Sequence, residues 1–212
     1  MNRETLEERI ISAIEILWAS VLEIRNFSSK FTFFQSILLP NEYNNVIPKE
    51  LGKIVVYISR EDFDYQSNTL FSGVETVRPF VGESIWALYT IYRAFAIRQA
   101  LKVQDGLQKK KLYEWDKDFQ GQPDTALQQL LITVFSDDEL LRIISEDHLG
   151  ATARIISAIE FKLLNEINEW GFNRKYRPID LDQQLKVQTL TAVLGNMNVN
   201  GDVIGRDKII IE

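Results

Sequence analysis

The sequence predicts a mainly α-helical protein, a bundle of about six to eight helices followed by a short β-prone tail. Apolar residues recur at steps of three and four along most of residues 1–194, which is the period of an amphipathic helix. Residues 195–212 instead interleave β-branched side chains with Asn, Asp and Gly. Hydrophobic residues make up 45% of the chain and charged residues 25%, a composition that can bury a globular core.

The first helix is predicted over residues 4–25, with an acidic first turn that suits the positive end of the helix dipole. Its apolar positions are Leu6, Ile10, Ile14, Leu17, Val21 and Ile24. A second helix, rich in aromatic residues, is predicted to follow at 27–40 and to stop at Pro40, with a strand as the alternative. Pro48 is well placed to open a third helix at 49–59, although this stretch also has strand propensity.

The longest helix is predicted from Pro79 to about Gln104, with Gly106 as its stop. Residues 84–92 carry no charge on any face, so we expect this helix to lie at the centre, surrounded by its neighbours. If Arg93 is buried in it, a carboxylate of a neighbouring helix is the expected partner, and the alternative is an arginine that binds a ligand. The polar stretch at 60–73 is predicted to be a connection.

Further helices are predicted at residues 124–134, 136–147, 151–169 and 178–194. Ser136-Asp-Asp-Glu139 has the pattern of a capping box, in which the Ser hydroxyl and the Glu carboxylate satisfy two free backbone amides. Gly171 is expected to end the 151–169 helix. Residues 1–194 therefore form one predicted helical domain, with Gly121-Gln-Pro123 as the point at which it could divide into two layers.

The tail, residues 195–212, is predicted to form one or two short strands joined by Asn-Gly-Asp and Gly-Arg-Asp turns. A lone two-stranded ribbon is marginal in water, so we expect the tail to pair with copies of itself or with similar tails on partners. The predicted partner-binding residues are Val199, Gly201, Asp202, Val203, Ile204, Gly205, Arg206, Asp207, Lys208, Ile209 and Ile211.

The composition and motifs of the chain limit the partners, sites and cofactors that it is expected to have. A formal net charge of -6 gives no overall attraction for nucleic acid or an anionic membrane, and neither partner is expected. The chain has no cysteine, which excludes disulfides, thiolate metal sites and a catalytic Cys. Phosphate-binding loops, serine-hydrolase elbows and zincin motifs are absent from the sequence, so no cofactor and no metal are predicted. The charged N-terminus lacks a signal-peptide core, and we expect a cytoplasmic protein.

The only histidine, His148, follows Arg142 with five residues between them. This spacing resembles the catalytic signature of the HEPN ribonucleases, which are helical and act as dimers. The resemblance implies that Arg142 and His148 cleave RNA without a metal. The polar residue that often follows the Arg in that family is replaced by Ile143. The other interpretation is that His148 caps the C-terminus of its helix, where a His suits the dipole.

Three other features have both a functional and a structural interpretation. Two basic segments also carry aromatic residues: Lys109-Lys110-Lys111 with Tyr113 and Trp115, and the run 174–177. Proteins that bind single-stranded nucleic acid combine cations and aromatic faces in this way, but a solvated loop can have the same composition. The aromatic run 27–39 suits a membrane-acting segment or a core. The carboxylates Asp116 and Asp118 flank Lys117 without a partner pattern that fixes a role.

The tail also carries a resemblance. Gly201, Asp202, Val203, Gly205, Asp207, Lys208 and Ile209 match a short Gly-Asp-Val-x-Gly-x-Asp-Lys-Ile element. That element is similar to one found in multidomain bacterial defence and signalling proteins, beside STAND NTPases, caspase-like peptidases and TIR effectors. No NTPase or protease motif accompanies it in this chain. The resemblance therefore implies a non-enzymatic oligomerising adaptor or regulatory subunit of an antiviral defence or signalling system.

Overall fold

A computed structural model describes residues 3–44, 55, 57–144 and 148–173. These residues contain six α-helices longer than one turn: α1 (Arg3–Thr32), α2 (Arg60–Thr69), α3 (Glu83–Lys109), α4 (Thr125–Ile132), α5 (Asp137–Ile143) and α6 (Ala151–Asn173). Short 3-10 helices lie at Phe33–Ser36, Pro40–Glu42 and Val74–Val77, and a single α-helical turn at Arg78–Val81. The predicted mainly α class is confirmed. The tail and the helix predicted at 178–194 lie outside the described residues.

Helix α3 is central, as its uncharged stretch predicted. It packs against α1 on one side and α6 on the other. The Tyr89 and Ser20 hydroxyls of α3 and α1 lie 2.9 Å apart, and Ser84 donates to Glu166 of α6 at 2.7 Å. Tyr92, two turns further along α3, donates to Glu160, which precedes Glu166 in α6. Later residues of α3 therefore contact earlier residues of α6, so the two helices are antiparallel.

The first boundary prediction is wrong, because α1 continues as one helix to Thr32. No Gly or Pro interrupts residues 25–32, and the hydroxyls in this stretch bond within the helix instead of breaking it. Ser28 donates to the Arg25 carbonyl at 3.3 Å and Thr32 to the Ser28 carbonyl at 3.1 Å. The aromatic run thus starts on the last turns of α1. Pro40 opens a 3-10 turn rather than ending a helix.

Helix α2 was predicted to be a connection. Only Phe63 and Ser67 of α2 are buried, so its apolar stripe is too thin to show in the hydropathy pattern. The sequence feature that marks α2 is its N-cap residue, Ser59, whose side chain accepts from the Asp62 amide at 3.0 Å. Residues 57–59, predicted to end a helix, are not helical and lead into this cap.

Two glycines act differently from the prediction. Gly82, at φ 79°, separates the turn containing Pro79 from α3, so the long helix begins at Glu83. Gly106 does not stop α3, which ends with Lys110 in the left-handed region. A Cβ at Gly106 would lie 2.8 Å from both the Lys111 carbonyl and the Leu112 side chain. Gly106 is therefore needed for the close return of the chain rather than as a terminator.

Three of the helix starts predicted for the second half, at residues 124, 136 and 151, are confirmed. Asp124 caps α4 by accepting from the Leu127 amide at 3.1 Å, and the Ser136–Glu139 capping box is formed at α5. The predicted ends are wrong. Helix α5 stops at Ile143, because Ile144 turns to an extended conformation (ψ 119°) and packs against the core. Helix α6 runs through Gly171 to Asn173, since a single glycine costs a helix only about 1 kcal/mol.

The described residues bury two hydrophobic clusters. The larger one joins α1, α3, α4 and α6, and includes residues from both sides of 121–123. The second contains the aromatic run, with Phe27, Phe31 and Phe34 all at most 5% exposed. Phe27 and Phe31 pack edge to face at 5.2 Å, so this part of the run is core. No helix of the described part of the chain is long and apolar enough to cross a bilayer.

Candidate functional site

The two residues of the predicted ribonuclease pair lie on either side of residues 145–147, which are outside the described ranges. Arg142 is exposed on α5, and its Nε donates to the Asp138 carbonyl of the same helix at 3.1 Å. The half-buried His148 ring packs against Trp115, with centroids 6.2 Å apart. Helix α5 ends at Ile143 with Ile144 as its C-cap, so the interpretation of His148 as the cap of this helix is wrong. The His148 carbonyl instead accepts from Ala151 at the start of α6.

Trp115 belongs to the connection between α3 and α4, residues 111–124, which folds into a tight hairpin. The Asp124 amide donates to the Asp116 carbonyl at 2.8 Å, and the Asp118 amide to the Gln122 carbonyl at 2.7 Å. Gly121 allows the turn with φ 84°, and a Cβ there would lie 2.9 Å from the Tyr113 ring. Contacts within the hairpin therefore define its backbone conformation.

Two buried polar side chains of α3 hold this hairpin. Gln99 Nε2 donates to the Trp115 carbonyl at 2.9 Å, and Lys102 Nζ donates to the same oxygen and to the Lys117 carbonyl. The Lys102 side chain is only 4% exposed. Burial lowers its pKa to about 7, although the Asp124 carboxylate 3.9 Å away acts in the opposite direction.

Asp124 is the carboxylate around which this region is organised. Its side chain is 2% exposed and accepts two bonds from Arg98, at 2.7 and 2.9 Å. It also caps α4, so one buried carboxylate joins the end of the hairpin to two helices. Arg98 and Asp124 are 26 residues apart, so the sequence alone does not indicate that they pair.

Three side chains meet at the outer edge of the hairpin: Glu114, Asp116 and His148, which we call the loop cluster. One ligand atom from each lies within 4.8 Å of the other two, and all three residues are half-buried. Asp116 Oδ2 lies 3.6 Å from Lys117 Nζ, whereas Oδ1 is buried and has no hydrogen-bond donor among the described residues. The sequence analysis did not group these residues, because His148 is distant from the other two along the chain.

A second polar group lies between the long helices: Arg25 of α1, Tyr92 of α3 and Glu160 of α6, which we call the inter-helix network. Arg25 Nε and Nη2 donate to the two carboxylate oxygens of Glu160, the first at 2.8 Å. Tyr92 donates to Glu160 Oε1 at 2.8 Å. Hydrogen bonding to Glu160 raises the pKa of Arg25, and burial raises that of Tyr92. Both carboxylate oxygens therefore have donors.

The remaining predicted features have these positions. Lys109 pairs with Asp105 at 2.8 Å, Lys111 lies over the Tyr113 ring, and Trp115 is only 7% exposed, so its face is not open to a base. Arg93 is not buried, so the condition of its prediction is not met; its side chain is 30% exposed and pairs at 3.6 Å with Glu75 of a 3-10 helix. The basic run 174–177 and the partner-binding residues of the tail lie outside the described residues.

The chain matches no protein-family model, no curated protein and no solved structure. Its function is therefore argued from its own residues and their geometry.

Proposed function

We propose that the protein is a cytoplasmic, non-enzymatic adaptor or regulatory subunit that assembles through strand pairing of residues 195–212. The observation that carries the proposal is the tail sequence, in which Val and Ile are interspersed with Asn and Asp around Gly201 and Gly205. Backbone groups of such a segment add to a sheet built from other tails and supply affinity, while the β-branched side chains bury on one face. The resemblance of the tail extends the proposal to bacterial defence or signalling.

The described helices supply what such a module needs, a well-packed body. Tyr89, Tyr92 and Phe95 of α3 are fully buried, and the carboxylates of Asp124 and Glu160 are engaged in contacts between elements. Tails that pair would bring several such bodies together and raise their effective concentration. Activity in a partner that depends on proximity would follow from the assembly.

The first test compares the light-scattering mass of the full chain with that of a chain ending at Leu194. We expect a multiple of the chain mass for the first and a smaller, equally helical species for the second. A full-length variant carrying Val203→Asn and Ile209→Asn keeps the tail length but removes apolar strand positions, and we expect it to behave like the truncation. If both altered proteins keep the oligomeric state of the full-length protein, the tail is not the assembly element.

A second candidate function is the dimeric metal-independent ribonuclease. It is favoured by the exposure of Arg142 and the partial exposure of His148, which leave both side chains accessible to RNA. The measurement is cleavage of a mixed RNA pool in excess EDTA by the wild type, Arg142→Ala and His148→Ala. Cleavage that is lost in both variants supports this function. An intact pool with assembled wild-type protein removes it.

A further inference from the structure

We propose that the loop cluster binds a divalent transition-metal ion of the Zn²⁺ type, with Glu114, Asp116 and His148 as its protein ligands. This site is independent of the proposed assembly function, because all of its ligands lie in the helical body. The proposal is argued from the chemistry of the three groups, their spacing, and the hydrogen-bonding state of Asp116.

The ligand chemistry selects the class of ion. Imidazole nitrogen suits Zn²⁺ and its neighbours in the first transition row, whereas Mg²⁺ and Ca²⁺ prefer all-oxygen sites. One imidazole with two carboxylates is a borderline set that Zn²⁺ accepts, and three protein ligands leave a coordination position for water. His148 is the only imidazole of the chain, and the chain has no cysteine, so no stronger set of nitrogen or sulfur ligands competes.

The spacing of the three ligand atoms is close to what an ion requires. Atoms about 2.0–2.2 Å from a tetrahedral Zn²⁺ lie about 3.3–3.5 Å from one another. In the loop cluster the three atoms are within 4.8 Å of one another. Side-chain torsions of Glu114 and His148 can supply a closure of about 1 Å, because both residues are half-buried rather than locked in the core.

Asp116 provides the observation that is independent of the clustering. Its Oδ1 atom is buried and has no hydrogen-bond donor among the described residues. A buried acceptor without a donor costs about 1–3 kcal/mol, and more when it carries charge. The nearby Lys117 ammonium lies 3.6 Å from the other oxygen, Oδ2. A cation held between Asp116, Glu114 and His148 would give Oδ1 the positive partner that the hairpin does not supply.

The backbone between the two carboxylates is held as a metal site needs. Glu114 and Asp116 flank Trp115, whose carbonyl accepts from Gln99 and from Lys102, both buried on α3. The Trp115 ring packs against the His148 ring and restricts the orientation of the imidazole. These contacts fix the backbone that carries the two carboxylates and limit the positions open to the imidazole.

All three ligand residues are partly exposed, so an ion can reach them from solvent. Glu114 lines an open groove of about 340 Å³, together with Lys111, Tyr113, Lys117 and Gly121. A bound ion would join the hairpin between α3 and α4 to the segment before α6. Because the ligands come from separate parts of the chain, the ion binds the folded state better than the unfolded one and stabilises it by mass action.

The test is isothermal titration of untagged, EDTA-treated full-length protein with Zn²⁺, and separately with Mg²⁺ and Ca²⁺. We expect one Zn²⁺ per chain and weaker binding of the other two ions. His148→Gln, Asp116→Asn and Glu114→Gln should each weaken Zn²⁺ binding at least about tenfold. Glu169→Gln, which neutralises an exposed carboxylate of α6, is the matched control and should bind like the wild type.

Unfolding in urea without metal establishes that each variant is folded before it is titrated. Zn²⁺ should then raise the urea midpoint of the wild type and of Glu169→Gln, and raise it less in the three ligand variants. The proposal is overturned if the wild type does not bind Zn²⁺, or if the ligand variants bind it as tightly as the control. Equal binding of Zn²⁺, Mg²⁺ and Ca²⁺ would remove His148 as a ligand and with it the transition-metal assignment.

Discussion

The inter-helix network and the loop cluster both place carboxylates beside the central helix, yet they are completed to different degrees. In the network, Glu160 is 8% exposed and both of its oxygens accept from Arg25, with Tyr92 as a further donor. In the loop cluster, Asp116 Oδ1 is buried without a donor among the described residues. The first arrangement gives both oxygens of its carboxylate a donor within the chain, and the second leaves one oxygen of Asp116 without one among the described residues.

This difference separates a contact that stabilises the fold from one that is available to a ligand. Stability favours completing every buried hydrogen bond, and a site that binds something leaves groups incomplete until it does. Lys102 lies between these two cases. It is buried like Glu160, but its hydrogen bonds go to backbone carbonyls. Charge removal should therefore have large effects in the network and small ones in the loop cluster.

The largest effect is expected for Arg25→Met, which keeps the length of the side chain but leaves the Glu160 carboxylate with only the Tyr92 hydroxyl. We expect a loss of about 2–3 kcal/mol in the free energy of unfolding, below the full value for a buried pair because Arg25 is 44% exposed. Urea unfolding monitored by circular dichroism measures it. Arg60→Met breaks an exposed pair with Asp64 and should cost about 0–1 kcal/mol. Equal losses in the two variants would contradict the structural role of the network.

An intermediate effect is expected for Lys102→Met, and it depends on pH. The folded pKa of Lys102 is lowered by burial from 10.5 to about 7. Between these values the unfolded chain holds a proton that the folded chain lacks, so this group makes stability rise with pH, by up to about 1.4 kcal/mol per unit. Without Lys102 that rise is absent. From about pH 7 to about pH 9 the wild type should gain about 1–2 kcal/mol relative to the variant.

The comparison uses urea midpoints of both proteins at the two pH values. Lys109→Met removes an exposed lysine of the same helix and should follow the wild type. Parallel pH profiles for the wild type and Lys102→Met would show that the lysine is charged in the folded protein across this range.

The smallest effect is expected for Asp116→Asn in metal-free protein. The substitution removes a buried charge that has no donor on Oδ1, so we expect a change within about 0.5 kcal/mol, of either sign. Glu160→Gln is the same chemical change in the completed network and should cost about 2 kcal/mol. Both are read from urea midpoints at neutral pH. A loss at Asp116 as large as that at Glu160 would mean that Asp116 is a structural carboxylate and would weaken the metal proposal.

The parts of the fold that were predictable depend on local patterns. The uncharged stretch of α3 predicted a central helix, and Ser136 with Glu139 predicted a capped start, because both signals lie within a few residues. Two of the boundaries that failed depend on tertiary packing. Gly106 looks like a stop in sequence, but the Lys111 carbonyl folds back onto it. Ile144 leaves the helix to pack against the core, and no local signal marks that.

The candidate site was less predictable for the same reason. His148 stood out as the only histidine, and its spacing from Arg142 drew attention to a partner on the same segment. Its actual neighbours are Trp115, Glu114 and Asp116, which the hairpin brings to it from a different part of the chain. Hydropathy and spacing along one segment carry no information about such a meeting, and an alternating Glu-x-Asp is too common to indicate it.

The antiparallel packing of α3 and α6 lets α6 span the helical body. His148 lies just before its first turn, and its 23 residues extend roughly 35 Å to Asn173. Glu160 and Glu166 bond to α3 from two successive positions along this length, so α6 is held at more than one point. The loop cluster and the residues after Asn173 are therefore attached to opposite ends of one helix that is bound to the centre of the protein.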